Sequence, residues 1–295
     1  MNKDQVSSIA VLMAAYNGMD WIEDQVESIF AQADVEIDLY ISVDLSNDGT
    51  EKWCQSLSQR DSRVHLLPYG DRFGGAAKNF YRLIREVDFT NYKFVALADQ
   101  DDVWLPNKLV HAISIIRQEN IQAFSSDVTA LFQDDSEKLI KKSQPKQRFD
   151  YFFGSAGPGC TYVFRTDALI QFKNFLKEQW SAANEVDYHD WLIYAYFRKN
   201  LLSWKIDNKP LMLYRRHEFN QIGPNLGLGA FIKRLSMVRS RWYSKEVSKI
   251  FHLVDPLGES GLNLKRSFLI THYRQLRRDH KEALVLLFLS LLGLF

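Results

Sequence analysis

Three carboxylates fall within four positions of ALADQDDVW, residues 96 to 104, where an apolar run ends in Asp99, Asp101 and Asp102. Hard oxygen ligands at this spacing suit Mg2+ or Mn2+, ions that bind through one or two carboxylates plus the phosphate oxygens of a substrate. The same cluster would also serve as a solvated turn ahead of the helical pattern LPNKLVHAI, so ligation and capping both stand at this point. A fourth carboxylate, Asp190 in VDYHDWLIYAYF, sits among Tyr188, Trp191, Leu192 and Tyr194. Apolar neighbours raise a carboxyl pKa toward the range of a general base. An Asp there would equally cap the helix that follows.

These residues need elements to hold them. SIAVLMAAY (8 to 16), EIDLYISVD (36 to 44), RVHLLPY and KFVALAD are β-rich runs, and between the first two Ile22, Val26, Ile29, Phe30 and Ala33 recur at helical spacing. A turn at Gly74 and Gly75 leads into a second helix with Phe80, Leu83, Ile84 and Val87 on one face. Strand and helix alternating in this way imply a mostly parallel sheet covered on both faces over roughly the first 130 residues. In such sheets ligands bind beyond the carboxyl ends of the strands, which is where Asp44 and Asp99 fall.

Composition narrows the class. At 295 residues with 46% hydrophobic side chains the chain can build a large core. Lys and Arg number 37 against 36 Asp and Glu, a net charge of +1, so no global field draws it to nucleic acid. Two cysteines, Cys54 and Cys160, provide neither a disulfide framework nor a zinc cluster and fit a reducing compartment. The opening MNKDQVSSIA carries no apolar signal segment, and a cytoplasmic location is expected.

Taken in order, VLMAAYNG, VDLSNDGT and ADQDDVW followed by NKL resemble the nucleotide-sugar half of the family 2 glycosyltransferases, which have the A-type glycosyltransferase fold. More narrowly, DQDDVWLPNKL, GCTYVF, HDWLIYAY and LYRRHEFNQIG are similar to bacterial rhamnosyltransferase-like members that build O-antigen and other surface polysaccharides. The resemblance covers residues 8 to about 223. It implies a glycosyltransferase domain over 1–225, with a nucleotide-sugar half (1–104) and an acceptor half (105–225), followed by a helical extension over 226–295.

The resemblance also implies roles. Tyr16, Asn17, Lys78 and Asn79 would border the donor, and Asp44 would accept a hydrogen bond from the pyrimidine base. Asp99 and Asp101 match the DxD pair, with Asp99 toward ribose and metal and Asp101 as principal metal ligand. His217 would complete the shell of a Mn2+ or Mg2+ ion, and Arg215 and Arg216 beside it could hold the diphosphate through bidentate pairs, one of the two facing solvent. The chain departs from the family at Val43-Asp44-Leu45-Ser46, where an Asp-Asp-Gly-Ser sequence is usual. Leu45 in place of glycine removes easy access to positive φ, so a different loop shape and an altered base pocket are expected. Asp48 fits a helix cap as well as a ligand contact.

For the acceptor half, GSAGPGCTYVF places Gly154, Gly157 and Gly159 ahead of a strand, a composition that permits close backbone approach or an ordinary turn. Gly159, Cys160, His189, Trp104 and Trp191 are the expected acceptor contacts, the tryptophans as sugar-stacking faces. By resemblance Asp190 deprotonates the acceptor hydroxyl in a single inverting displacement, with rhamnose moving from dTDP-rhamnose to a lipid-linked or growing glycan. A UDP-hexose donor, or a non-catalytic nucleotide-sugar-binding scaffold, are the alternatives.

The chain ends in ALVLLFLSLLGLF, 283 to 295, a segment too short to span a bilayer. With Arg274, Arg277, Arg278 and Lys281 upstream it fits an interfacial helix on the inner face of the cytoplasmic membrane. It would also fit packing onto the domain or onto a second chain.

Overall fold

The computed structural model describes residues 7–216 and 241–295. The first apolar run forms β1 (Ser7–Ala15), whose Ile, Val, Leu, Met and Ala side chains are buried on both faces, as a central parallel strand requires. It pairs in parallel with β2 (Val35–Val43) on one side and β4 (Phe94–Asp99) on the other. With β3 (Val64–Leu66), β6 (Ala123–Ser126), β9 (Val163–Arg165) and β10 (Trp204–Asp207) these make a seven-stranded sheet in the order β10-β6-β9-β4-β1-β2-β3. β9 runs antiparallel to both β4 and β6, while the other pairings are parallel. A second sheet carries β5 (Val103–Trp104), β11 (Met212–Arg215), β7 (Val128–Leu131) and β8 (Glu137–Ile140), in that spatial order.

Register places the chemistry. Ala14 lies opposite Asp99 and Ala15 opposite Val43, so β1, β2 and β4 finish level and release Tyr16, Asp44 and Gln100 at one edge.

Two cores cover the sheet. On one face α1 (Ile22–Phe30) and α4 (Lys108–Gln118) bury Ile22, Val26, Ile29, Leu109 and Ile113, and Cys54 of α2 (Thr50–Arg60) joins them. On the other, α3 (Ala76–Glu86) buries the expected Phe80, Leu83 and Ile84, with Val87 buried just past its end. There it meets α5 (Asp150–Phe153), α6 (Thr166–Glu178), α7 (Trp180–Ala183) and α8 (His189–Lys199).

The C-terminal helices α9 (Trp242–Val254), α10 (Arg266–Leu276) and α11 (His280–Leu291) belong to this second core. Val247, Ile250, Leu269, Leu276 and Leu286 pack in the same cluster as Phe80, Phe152 and Leu192. The extension is therefore part of the domain's interior, and the expected boundary at 225 lies outside the described residues. Among the described residues no helix is long and apolar enough to cross a membrane.

Candidate active site

At the edge where β1, β2 and β4 end, a cleft of about 880 Å³ opens between the two halves of the chain. Asp99 and Asp101 line it together with Tyr16, Asn17, Asp44 and Asn79 on one wall, and Gly159, His189 and Asp190 on the other.

The first wall is held by side chains that tie strand ends to loops. Asn79 donates through Nδ2 to Ser42 O at 2.9 Å and Ala15 O at 3.4 Å, bridging the ends of β2 and β1. Its Oδ1 meets no protein partner. The Asp44 carboxylate accepts from Leu45 N at 2.8 Å and from Phe73 N and Gly74 N, both at 2.9 Å. It therefore fixes the 72–75 loop as well as lining the cleft. Asn17 adopts positive φ and accepts from Asn47 N at 3.0 Å, while Asn17 N donates to Ser46 Oγ at 3.1 Å. Zipped in this way the Asp44–Ser46 loop needs no glycine, and Leu45 is half exposed at its tip. Asp48 is not the cap that its position allowed, since Gly49 holds the N-cap position of α2; its carboxylate instead accepts from Thr50 N at 3.0 Å, Thr50 Oγ1 at 2.6 Å and Met19 N at 3.0 Å, tying the 17–19 turn to the start of the helix. Gln100, between the two DxD carboxylates, clamps the Tyr16 backbone by accepting from its N and donating to its O, both at 2.6 Å.

Burial pushes the Asp99 carboxyl well above the usual range, and the neighbouring charge of Asp101 pushes it further. A divalent cation relieves both effects, and the hard oxygens of Asp99 and Asp101 are the donor set that Mg2+ and Mn2+ take. Asp102 turns the other way. It is fully buried, accepts from Arg215 N at 3.3 Å, and its carboxyl is held far above the ordinary range by burial and by Asp101. One oxygen each of Asp99 and Asp102 and the Cys160 sulfur lie within 4.8 Å of one another, behind the cleft surface.

Asp190 stands on the opposite wall in the first turn of α8. The helix is capped at Tyr188 without a side-chain bond, so Asp190 is not its N-cap. Its Oδ1 accepts from Trp191 N at 2.8 Å. Burial raises its pKa to about 6, against the opposing pull of a Ser155 hydroxyl bond, the Trp191 amide and the Lys142 charge. A carboxylate at this value is ionised at neutral pH and basic enough to take a hydroxyl proton as it departs. His189 stacks on Phe80 with ring centroids 4.0 Å apart, and burial lowers its pKa to about 3, so it is a neutral imidazole. Its Nε2 has no protein partner and abuts Gly159, where a Cβ would sit 2.3 Å away. Because the ring is pinned against Phe80, Gly159→Ala is expected to cost about 1–3 kcal/mol by overpacking. A matching loss in thermal denaturation would check this, and unchanged stability would contradict the close approach.

Several expected contacts lie elsewhere. Trp104 is 2% exposed, inside the first core beneath the Lys108 ammonium, whose nitrogen lies 3.5 Å from the ring centroid. Trp191 is 5% exposed, donates through its indole N–H to Tyr151 O at 3.1 Å, and stacks on Tyr243. Neither tryptophan offers a face to a sugar, because burial of a large apolar ring outweighs its display. Cys160 is fully buried behind Asp99 and Asp102 and does not line the cleft. Lys78 borders a smaller adjoining cavity of about 180 Å³ with Arg72, Arg85 and Trp180. Arg215, the last residue of β11, points out to Asp24, 2.5 Å away, and Arg216 just past the strand lines the cleft. His217 lies outside the described residues.

The cleft also contains Arg72, Lys142 and Ser155, which motif reading passed over. Lys142 is presented by the buried Asp127 carboxylate, which accepts from Lys142 N at 2.5 Å and Ser143 N at 2.8 Å. Nothing periodic marks a loop lysine, and only the glycine cluster containing Ser155 carried any signal.

The Glycosyl transferase family 2 model matches residues 10–177, more than half of the chain. The chain is 41% identical over 291 residues to the dTDP-rhamnosyl transferase RfbG of Shigella flexneri, covering 96% of this chain and 100% of that protein. Among solved structures it is similar to S. aureus TarS in complex with UDP, at a TM-score of 0.60 and 12% identity, covering 90% of this chain and 72% of that one. It is also similar to the mannosyltransferase PcManGT of Pyrobaculum calidifontis in complex with GDP-Man and Mn2+, at a TM-score of 0.52 and 15% identity, covering 98% and 81%. At such identities the two structures speak for the fold, which is the A-type glycosyltransferase fold. With paired carboxylates at the strand edge and a family match across the sheet that presents them, this chain belongs to glycosyltransferase family 2 and is a glycosyltransferase of the rhamnosyltransferase-like kind.

Proposed function

We propose that the enzyme moves rhamnose from dTDP-rhamnose to a saccharide acceptor with inversion at the anomeric carbon. The observation that carries this reading is the single cleft with Asp99 and Asp101 on the donor wall and Asp190, its pKa near 6, on the other. The choice of donor draws on the likeness along the whole chain to the Shigella flexneri dTDP-rhamnosyl transferase.

Tyr16, Asn17, Asp44 and Asn79 border the nucleotide, with Asp44 able to accept from the base. Asp99 and Asp101 hold a divalent ion, Mn2+ or Mg2+, which supplies charge stabilisation to the departing diphosphate. Arg72 and Arg216 add positive charge to the cleft that receives it. Asp190, oriented by the Trp191 amide and Ser155, takes the proton of the attacking hydroxyl. His189, which lines the same cleft beside Asp190, borders the acceptor.

Thermal shift tests the donor site, since a ligand that binds the folded state at 100 times its Kd adds about 2.7 kcal/mol. dTDP-rhamnose with Mn2+ is expected to raise the melting temperature of the wild type but not of Asp101→Ala. A larger shift with a UDP-sugar would replace the donor, and binding without turnover would favour a scaffold.

The acceptor is lipid-linked and the enzyme works at the inner membrane face. In support, α11 packs Ala283, Leu286 and Ser290 inward and leaves Leu284, Val285, Phe288 and Leu291 exposed, with Leu292 exposed just past its end. An exposed apolar helix face on a segment that also exposes Arg274 and Lys281 suits anionic lipid. Of the four basic residues expected to meet headgroups, Arg277 and Arg278 instead turn into the protein. Replacing exposed Leu284 and Phe288 together with Glu should abolish co-sedimentation with anionic vesicles and leave the fold intact. Equal sedimentation would remove the membrane from the reading.

A further inference from the structure

We propose that Arg278, contributed by the C-terminal helical segment, is a positioning residue for the acceptor side of the active site: it holds the 154–159 loop so that Ser155 holds Asp190. This rests on Asp190 being the base.

Arg278 lies at the junction of α10 and α11, and its side chain is 9% exposed. Its guanidinium bridges two acceptors, donating from Nη1 to Asp150 Oδ2 at 2.9 Å and from Nη2 to Ser155 O at 2.6 Å. Arg277 beside it donates to Phe153 O and, at 3.2 Å, to Tyr243 OH. Two consecutive arginines thus grip the backbone on either side of Gly154, whose missing Cβ would lie 2.7 Å from Arg277 Nη1. The Ser155 hydroxyl held in this way donates to Gly157 O at 3.1 Å and lies near enough to the Asp190 carboxylate to lower its pKa, while Tyr162 OH, which accepts from Ala156 N at 3.1 Å, reaches Asp190 O at 3.2 Å, so the loop meets Asp190 at its backbone as well.

Asp150 does not need Arg278 for charge balance alone. Its Oδ1 takes Arg198 Nη1 at 2.9 Å, and Tyr194 OH donates at 2.9 Å to Oδ2, the oxygen that Arg278 also reaches. What Arg278 adds is the second prong, to Ser155. A lysine is a point charge and cannot reproduce a fork that spans a carboxylate and a carbonyl. Arg278→Lys should therefore keep the Asp150 pair and lose the hold on Ser155.

The test uses the full chain with dTDP-rhamnose and Mn2+, reading dTDP release with water as acceptor and donor Kd by calorimetry. Arg278→Lys and Ser155→Ala are each expected to lower kcat about tenfold or more with donor Kd within about twofold. The double variant should fall no further than either single, because both remove the same constraint. Arg198→Lys, which shares Asp150 but not Ser155, should lose stability and keep kcat. Retained kcat in Arg278→Lys, multiplicative losses in the double variant, or an equal kcat loss in Arg198→Lys would each overturn the positioning role. If Arg278→Lys fails to fold, full turnover in Ser155→Ala alone overturns it. Asp190→Asn run in parallel separates the two readings: if it turns over like the wild type, the base assignment falls and this inference with it.

Discussion

Asp190→Asn is expected to lower transfer by about 10³-fold, within the range that a positioned general base supplies, while donor affinity stays unchanged. The amide keeps the size and the bond from Trp191 N but cannot take a proton. In the wild type, rate should fall as pH drops through about 6, where the carboxylate protonates. Stability moves the other way. Because the folded pKa is raised from 3.8 to about 6, the group favours the fold fully below about 3.8, and that contribution is lost as pH rises through about 6. The shift corresponds to about 3 kcal/mol at pH 8, where the wild type carries a buried charge that the amide lacks. Denaturation at pH 8 should show the variant more stable than the wild type, and the two should converge below pH 4. A variant equally stable at both pH values, or one that keeps its turnover, would refute a desolvated catalytic carboxylate.

The largest stability loss is expected at Asp150, which belongs to none of the motifs. Its carboxylate is 1% exposed and faces Arg198 and Arg278 together. Asp150→Ala leaves two largely buried guanidinium groups without their shared counter-charge, and breaking such a pair by removing one partner costs about 3–5 kcal/mol. Equilibrium denaturation reads this directly. A loss below about 1 kcal/mol would mean that water reaches the pair and that the junction of α10 and α11 is looser than the bond lengths imply.

Asp99 and Asp44 were legible because strand ends are set locally: an apolar run that stops at a carboxylate marks both the strand and the sheet edge where it finishes. The raised pKa of Asp190 was legible for a similar reason, since its apolar neighbours in sequence are also its neighbours on the first turns of α8. Trp104 and Trp191 misled because motif membership says that a residue matters without saying which way it faces. Both indoles are buried in the core, one on each face of the sheet.

Local periodicity and residue chemistry, present in the sequence alone, determined the alternating sheet, the edge where its carboxylates gather, and the class of reaction they suit. Tertiary structure decided which of Asp101 and Asp102 faces the cleft, since adjacent residues leave the chain in different directions. It also turned Arg277 and Arg278 away from the expected lipid and onto Phe153, Asp150 and Ser155. Arg278 meets Asp150 across 128 residues of chain, and a contact of that separation exists only once the core that brings the two elements together has formed.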